Sequence, residues 1–209
     1  MFLKLDGREC LVVGAGTIAE GKIGSLLESG ARVSVVAPLV NPGIRTLVES
    51  GRIRLMEREF AAEDLSGTFL VIAATSNSEV NRAVFLAAQQ RGILCNAVDD
   101  PPNCDFYFPA VVRRGPLQIA ISTEGESPAL AQSLRVQIEE QLDEETGPWL
   151  ENLGRVRREI LASMAPGEER KQLLKDLSTR EICDQVDCPS RKVIAAATQR
   201  ANANLRSRS

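Results

Sequence analysis

Residues 9–22, "ECLVVGAGTIAEGK", decide how the chain is read. An apolar run stops at a glycine pair, and an amphipathic pattern starts straight after it. Such a run, bounded by glycine, reads as a buried strand. Ala19, Ile23, Leu26 and Leu27 then share one helical face, and Gly30 stands where a helix-closing glycine belongs. The turn between carries G-x-G-x-x-A as Gly14, Gly16 and Ala19. The first glycine permits the tight turn, the second lets backbone N–H groups approach a pyrophosphate, and the alanine lets helix and strand pack closely. The positive end of the helix faces the phosphates. Alone the pattern is weak. A strand before it and an amphipathic helix after it, near the N-terminus, make it a dinucleotide-binding turn rather than a plain glycine turn.

The same rhythm continues outward. "ARVSVVAP" (31–38) is a β-branched strand stopped by proline, and "NPGIRTLVESG" (41–51) a short helix closed by glycine. "RIRLMEREF" (52–60) alternates like a half-exposed strand. "TFLVIAAT" (68–75) is continuously apolar, so a central strand. "NSEVNRAVFLAAQQRG" (77–92) is a helix with a polar cap, and "ILCNAVD" (93–99) reads as the next central strand. Strand–helix alternation with short glycine turns predicts an α/β, Rossmann-type, doubly wound parallel sheet over 1–110. Right-handed crossovers put helices on both faces. Ligands then sit at the carboxyl ends of the strands. That places Gly14, Ala15, Gly16, Thr17, Ile18, Pro38, Leu39 and Thr75 around a cofactor, and Asp99 and Asp100 at the same edge. The second strand ends in Ala37, Pro38 and Leu39, without the acid that grips the ribose of NAD and without an arginine for a 2′-phosphate. That position leaves NAD against NADP open.

After residue 105 the pattern changes. "DFYFPAVVRRGPLQIAIST" reads as two strands joined by Arg-Gly-Pro. "SPALAQSLRVQIEEQL" (127–142) opens with Ser127 as N-cap and Pro128 at the first helical position. From 145 the chain is helical and charge-rich. This predicts a small strand–helix unit at 111–145, then an all-helical region at 146–209.

Composition narrows the class. The 209 residues are 44% hydrophobic and 25% charged, with a net charge of −3, so nothing points to nucleic acid. No apolar run approaches the roughly 20 residues of a membrane span. "MFLKLDGREC" enters a strand and has no signal-peptide core, so the chain is expected in the cytoplasm. Cys10, Cys95, Cys104, Cys183 and Cys188 are irregularly spaced, which fits reduced thiols. Cys183 and Cys188 lack a C-x-x-C spacing, and the chain has no histidine, so no metal site is expected.

Two further blocks carry a resemblance. "ATSNSEVN" (74–81) follows one strand, and "CNAVDDPPNCDFYFPAVVRRGPLQIAISTEGESPALAQSLR" (95–135) follows the next. With the glycine turn and "GARVSVVAP", they stand in the order seen in precorrin-2 dehydrogenases, the dehydrogenase–ferrochelatase part of siroheme synthases. The chain resembles that family over about 1–145. It departs at Ala15, where the family has glycine, and at Gly21, where an arginine precedes Lys22. It departs again at Gly115, which replaces a serine, and at Glu124 to Glu126. The lost arginine removes one cation for a substrate carboxylate. The resemblance implies NAD-dependent oxidation of precorrin-2 to sirohydrochlorin, with ferrous iron insertion in some members. It implies Asp99 as the catalytic aspartate, Ser122 and Thr123 lining the site, and a homodimer formed through the region after the nucleotide domain. The chain stops at 209, so it is expected to lack the methyltransferase domain of larger siroheme synthases.

The chemistry suits a chain without histidine. Once hydride leaves, the oxidised tetrapyrrole is a strong carbon acid, and a carboxylate of ordinary pKa, about 3.9, is an adequate base. From the residues alone Asp99 is equally a turn former in Asp-Asp-Pro-Pro. Its strand-end position favours function. The substrate's many carboxylates call for cations, and Lys22, Arg113, Arg114 and Arg135 are the candidates, of which the adjacent Arg113 and Arg114 also fit a solvated turn. Phe106, Tyr107 and Phe108 either flank a flat macrocycle or alternate between core and surface, and Asp105 either lines the site or caps a loop. The alternative function is an NAD-sensing regulatory module, which the fold alone also permits. The 95–135 block separates the two, since a sensor has no reason to hold it.

Overall fold

The computed structural model describes residues 2–178. The readings made for Cys183, Cys188 and the last turns of the helical region lie outside the described residues. The chain divides into two compact units, the first ending at Phe108 and the second beginning at Pro109.

The first unit is a parallel five-stranded sheet in the order β3-β2-β1-β4-β5. Its strands are β1 (Glu9–Val13), β2 (Arg32–Val36), β3 (Ile53–Met56), β4 (Leu70–Ala73) and β5 (Leu94–Ala97). The helices are α1 (Thr17–Glu28), α2 (Pro42–Glu49) and α3 (Ser78–Gln89). Register is strict, with Val12 beside Val35 on one side and Ile72 on the other. Val12, Val35 and Ile72 meet Ala19, Ile23, Leu26 and Ile44 of α1 and α2 on one face. Leu11, Val13, Val36 and Val71 meet Leu65 and the α3 residues Val84 and Ala88 on the other. Burying each such Val, Leu or Ile contributes about 1.5–3 kcal/mol. Helices thus cover both faces, and the doubly wound sheet expected from the alternation is present. Cys10 and Cys95 belong to this interior, and burial pushes their thiols up, to about 11 and about 12, so they stay protonated.

One expectation is corrected. The run 93–99 reads as a central strand, yet β5 is the sheet edge. It is buried because the chain folds back over it. Asn96 and Cys104 form an antiparallel bridge, the Asp105 N–H donates to the Cys95 carbonyl at 2.8 Å, and the Cys95 N–H donates to the Asp105 carboxylate at 2.9 Å. An edge closed this way needs no alternation and offers no pairing surface. Asp105 is therefore a cap, and Gln89 Nε2 also donates to it at 2.8 Å.

The second unit opens with the antiparallel hairpin of β6 (Ala110–Arg114) and β7 (Leu117–Ile121). Its turn uses Gly115 at φ 55°, where a Cβ would lie 2.9 Å from the Gly147 Cα. That close approach seats the hairpin on the first turn of α5 (Thr146–Ser163). Helix α4 (Pro128–Glu140) begins as expected, with the Ser127 hydroxyl accepting from the Leu130 N–H. Helices α5 and α6 (Glu168–Ser178) pack through Val156, Ile160, Leu173 and Leu177. Among the described residues no helix is long and apolar enough to cross a membrane.

Candidate active site

Strand order reverses between β1 and β4, and the crevice outside the carboxyl ends of such strands is where an open α/β sheet binds ligands. A cleft of about 540 Å³ lies there. Gly16, Thr17 and Ile18 form one wall, Thr75, Ser76 and Asn81 another, and Val98, Asp99 and Asp100 a third.

The first wall has the form of a phosphate cradle. Gly14 sits at φ 107°, and a Cβ there would meet the Ala74 carbonyl oxygen at 2.4 Å. Only glycine brings the β1 turn this close to the end of β4. Ala15 is buried in the core and its carbonyl accepts from the Asn41 N–H, so its side chain faces away from any ligand. Gly16 is the N-cap of α1 and supplies no side-chain acceptor to the helix. A Cβ on Gly16 would project into open space. The first amides of α1 therefore lack a side-chain partner, beside a void where a side chain would fit, as a pyrophosphate requires. Pro38 and Leu39 stand outside the cleft lining, at the carboxyl end of β2, with Leu39 85% exposed.

The second wall is held by a residue the sequence reading passed over. Asn81 lies on α3, is 5% exposed, and spends its whole amide on Thr75. Its Oδ1 accepts from the Thr75 hydroxyl at 2.7 Å and the Thr75 N–H at 3.1 Å, while its Nδ2 donates to the Thr75 carbonyl at 3.1 Å. The signal was a polar residue at a core-facing position of a helix, six residues after the one it holds. Ser76 and Ser78 are further lining residues that the sequence reading did not name.

The third wall carries Asp99 in the left-handed region, at φ 59°. Few residues other than glycine adopt this conformation, aspartate more readily than most, and strain of this kind gathers at functional sites. The residue is exposed, and its carboxylate accepts no hydrogen bond from the described residues. Lys22 supplies a cation nearby. Its Nζ lies 4.0 Å from the centroid of the Phe108 ring. Burial lowers its pKa, and the negative charge of Asp99 partly offsets this. Phe106 and Phe108, with centroids 5.6 Å apart, pack on the core, whereas Tyr107 points outward, so the stretch alternates between core and surface. A lysine whose pKa falls on folding costs stability while charged, and that cost fades as pH rises toward the ordinary lysine range. Lys22→Met is accordingly expected not to lower the thermal midpoint at neutral pH, to leave NAD affinity unchanged, and to raise KM for an anionic substrate about fivefold or more; thermal scans and steady-state kinetics measure all three.

The remaining candidates belong to the second unit. The Ser122 hydroxyl accepts from the Glu124 N–H at 3.2 Å, and the Thr123 hydroxyl accepts from the Ser127 N–H at 3.1 Å. Both shape the turn between β7 and α4, where Glu124 also has a positive φ of 53°. Arg113 stands on β6 opposite Gln118. Arg114 donates to the Glu139 carboxylate at 2.9 Å and to the Leu142 carbonyl at 3.3 Å, closing the end of α4. Arg135 is paired with the same Glu139 carboxylate. Among the described residues no three His, Cys, Asp or Glu side chains gather as a metal-binding group.

Residues 1–110 match a family model described as "Putative NAD(P)-binding". The chain belongs to this NAD(P)-binding family. Residues 114–141 of the family member match a second model, "Sirohaem biosynthesis protein central". The chain is 40% identical over 177 residues to "Siroheme synthase 1" of Aeromonas salmonicida (strain A449), covering 85% of this chain and 38% of that protein. It is 41% identical over 172 residues to "Siroheme synthase 1" of Serratia proteamaculans (strain 568), covering 82% of this chain and 36% of that protein. The chain thus spans less than two fifths of the length of these curated relatives. Among solved structures it is similar to "SirC, precorrin-2 dehydrogenase", with a TM-score of 0.77 and 29% identity, covering 95% of this chain and 98% of that one. The NAD(P)-binding class, the doubly wound fold and the siroheme-synthase resemblance read from the sequence are all borne out.

Proposed function

We propose that the chain oxidises precorrin-2 to sirohydrochlorin with NAD as hydride acceptor, in the biosynthesis of siroheme. The observation that carries this reading is Asp99, held in left-handed backbone on the same cleft as the phosphate cradle. The likeness to a precorrin-2 dehydrogenase over 98% of that chain supports it.

Bound NAD supplies the ring that accepts the hydride. The amides of Thr17 and Ile18 would hold its pyrophosphate, helped by the α1 dipole. The exposed Leu39 and Pro38 give an apolar ledge at the end of β2, suited to adenosine, and the choice of NAD over NADP follows from the resemblance to precorrin-2 dehydrogenases. Thr75, fixed by Asn81, borders the cleft. As hydride leaves the tetrapyrrole, Asp99 Oδ takes the proton from the adjoining ring carbon, and conjugation extends across the macrocycle. Lys22 receives a substrate carboxylate beside Asp99 and balances its charge. From the resemblance, Ser122 and Thr123 belong to the substrate site, and the substrate's carboxylates make Arg113 and Arg135 the candidate cations of the second unit.

A homodimer is part of the same reading. A two-stranded hairpin is marginal alone. Leu130 and Val136 of α4, 51% and 42% exposed, add apolar surface to the same unit. Equilibrium titration tests the function. The chain is expected to bind NAD more tightly than NADP and to bind sirohydrochlorin as well. Binding of nucleotide with no affinity for a tetrapyrrole would support the NAD-sensing module instead.

A further inference from the structure

Asp99 does not hold itself in place. It follows β5 in a loop that doubles back so that Cys104 bridges Asn96. Two carbonyls flank Asp99, those of Ala97 and Asp100. The Cys104 Sγ lies 3.0 Å from the first and 3.3 Å from the second, so a single thiol proton reaches both sides of the loop. The Asp100 N–H adds a turn bond to the Ala97 carbonyl at 3.2 Å. Asn96, 6% exposed, supplies the other arm. Its Nδ2 donates to the Phe106 carbonyl at 2.7 Å and to the Cys104 Sγ at 3.4 Å. A buried amide on a strand costs stability unless it is paired, and an apolar side chain would serve the sheet alone at least as well. Every bond of this set closes the loop, and none involves the Asp99 carboxylate.

We infer that Asn96 and Cys104 are positioning residues, whose side chains clip the loop shut and impose the left-handed backbone that presents the Asp99 carboxylate to the cleft. The inference rests on the reading of Asp99 as the base. The thiol acts here as a donor, and burial, which raises its pKa, keeps it protonated. Neither residue touches the reacting atoms. Loosening the clip lets Asp99 relax toward the negative φ that aspartate ordinarily prefers.

A double-mutant cycle on the full chain tests this, using wild type, Cys104→Ala, Asp99→Asn and the pair together. Cys104→Ala is expected to lower kcat about tenfold, the effect of one or two hydrogen bonds acting on the base, with the Kd for NAD unchanged. In the Asp99→Asn background the same change is expected to cost nothing more. Cys104→Ser, which keeps a donor, is expected to recover much of the lost rate. An equal loss in both backgrounds, or no loss in Cys104→Ala, overturns the clip while leaving Asp99 as base. Wild-type turnover by Asp99→Asn alone overturns the base assignment, and the clip with it. Asn96→Ser shortens the other arm and is read in the same cycle, so misfolding of one variant, seen as lost NAD binding, leaves the second to decide.

Discussion

Asp99→Asn is expected to lower kcat roughly 10²–10⁴-fold, the usual contribution of a positioned general base. NAD affinity and thermal stability are expected to stay within experimental error. The substitution is clean for two reasons. Asparagine tolerates the left-handed backbone nearly as well as aspartate, so the loop keeps its shape at φ 59°. The carboxylate accepts no hydrogen bond from the described residues, so its loss orphans no donor among them. What disappears is the negative charge and the capacity to take a proton. Asp99→Glu restores both but moves the carboxylate outward by a methylene, and it is expected to recover only a minor part of the rate. Steady-state kinetics beside NAD titration separates these cases.

Gly14→Ala is expected to have the second large effect, and by a different route. The new methyl would sit 2.4 Å from the Ala74 oxygen and 2.7 Å from the Ala74 carbon, both backbone atoms that have no rotamer to escape into. The φ of 107° is strained for any side chain. Relief requires β1 and β4 to separate at the point where the cradle forms. The cost is roughly 2 kcal/mol or more in stability. NAD binding is expected to fall below detection even where the chain remains folded, because the α1 amides no longer converge. Denaturant melts and calorimetric titration measure the two parts. By contrast, Gly16→Ala meets open space in the chain itself, so its penalty is expected to appear in nucleotide binding and not in stability.

Much of this was legible because the signals are local. The glycines that close helices, the proline after β2 and the Asn77 and Ser127 caps each mark an end within a few residues. The phosphate turn is a contiguous motif whose context is equally contiguous. What stayed hidden depends on residues that meet across the fold. β5 reads as central because every signal of burial is present in its own run; the cover that buries it, 104–105, arrives later in the chain and carries no periodicity. Asp105 was balanced between site and cap for the same reason, since its partners Gln89 and Cys95 precede it by 16 and 10 residues. Asn81 looks like an ordinary polar helix residue until Thr75 is seen against it. Arg135 and Arg114 were both candidates for a polyanion, Arg114 also for a solvated turn, and a shared Glu139 engages both. Asp99 shows both sides of this: its place at a strand end was readable, while its backbone conformation and its clip were not.

Anaerobic mixing of the chain with enzymatically made precorrin-2, with and without NAD, tests the central claim most directly. The spectra of sirohydrochlorin and NADH are followed together. The account predicts sirohydrochlorin only when NAD is present, with NADH formed in equal amount. Folded chain that binds NAD yet leaves precorrin-2 unchanged would contradict it and make the cleft a nucleotide sensor.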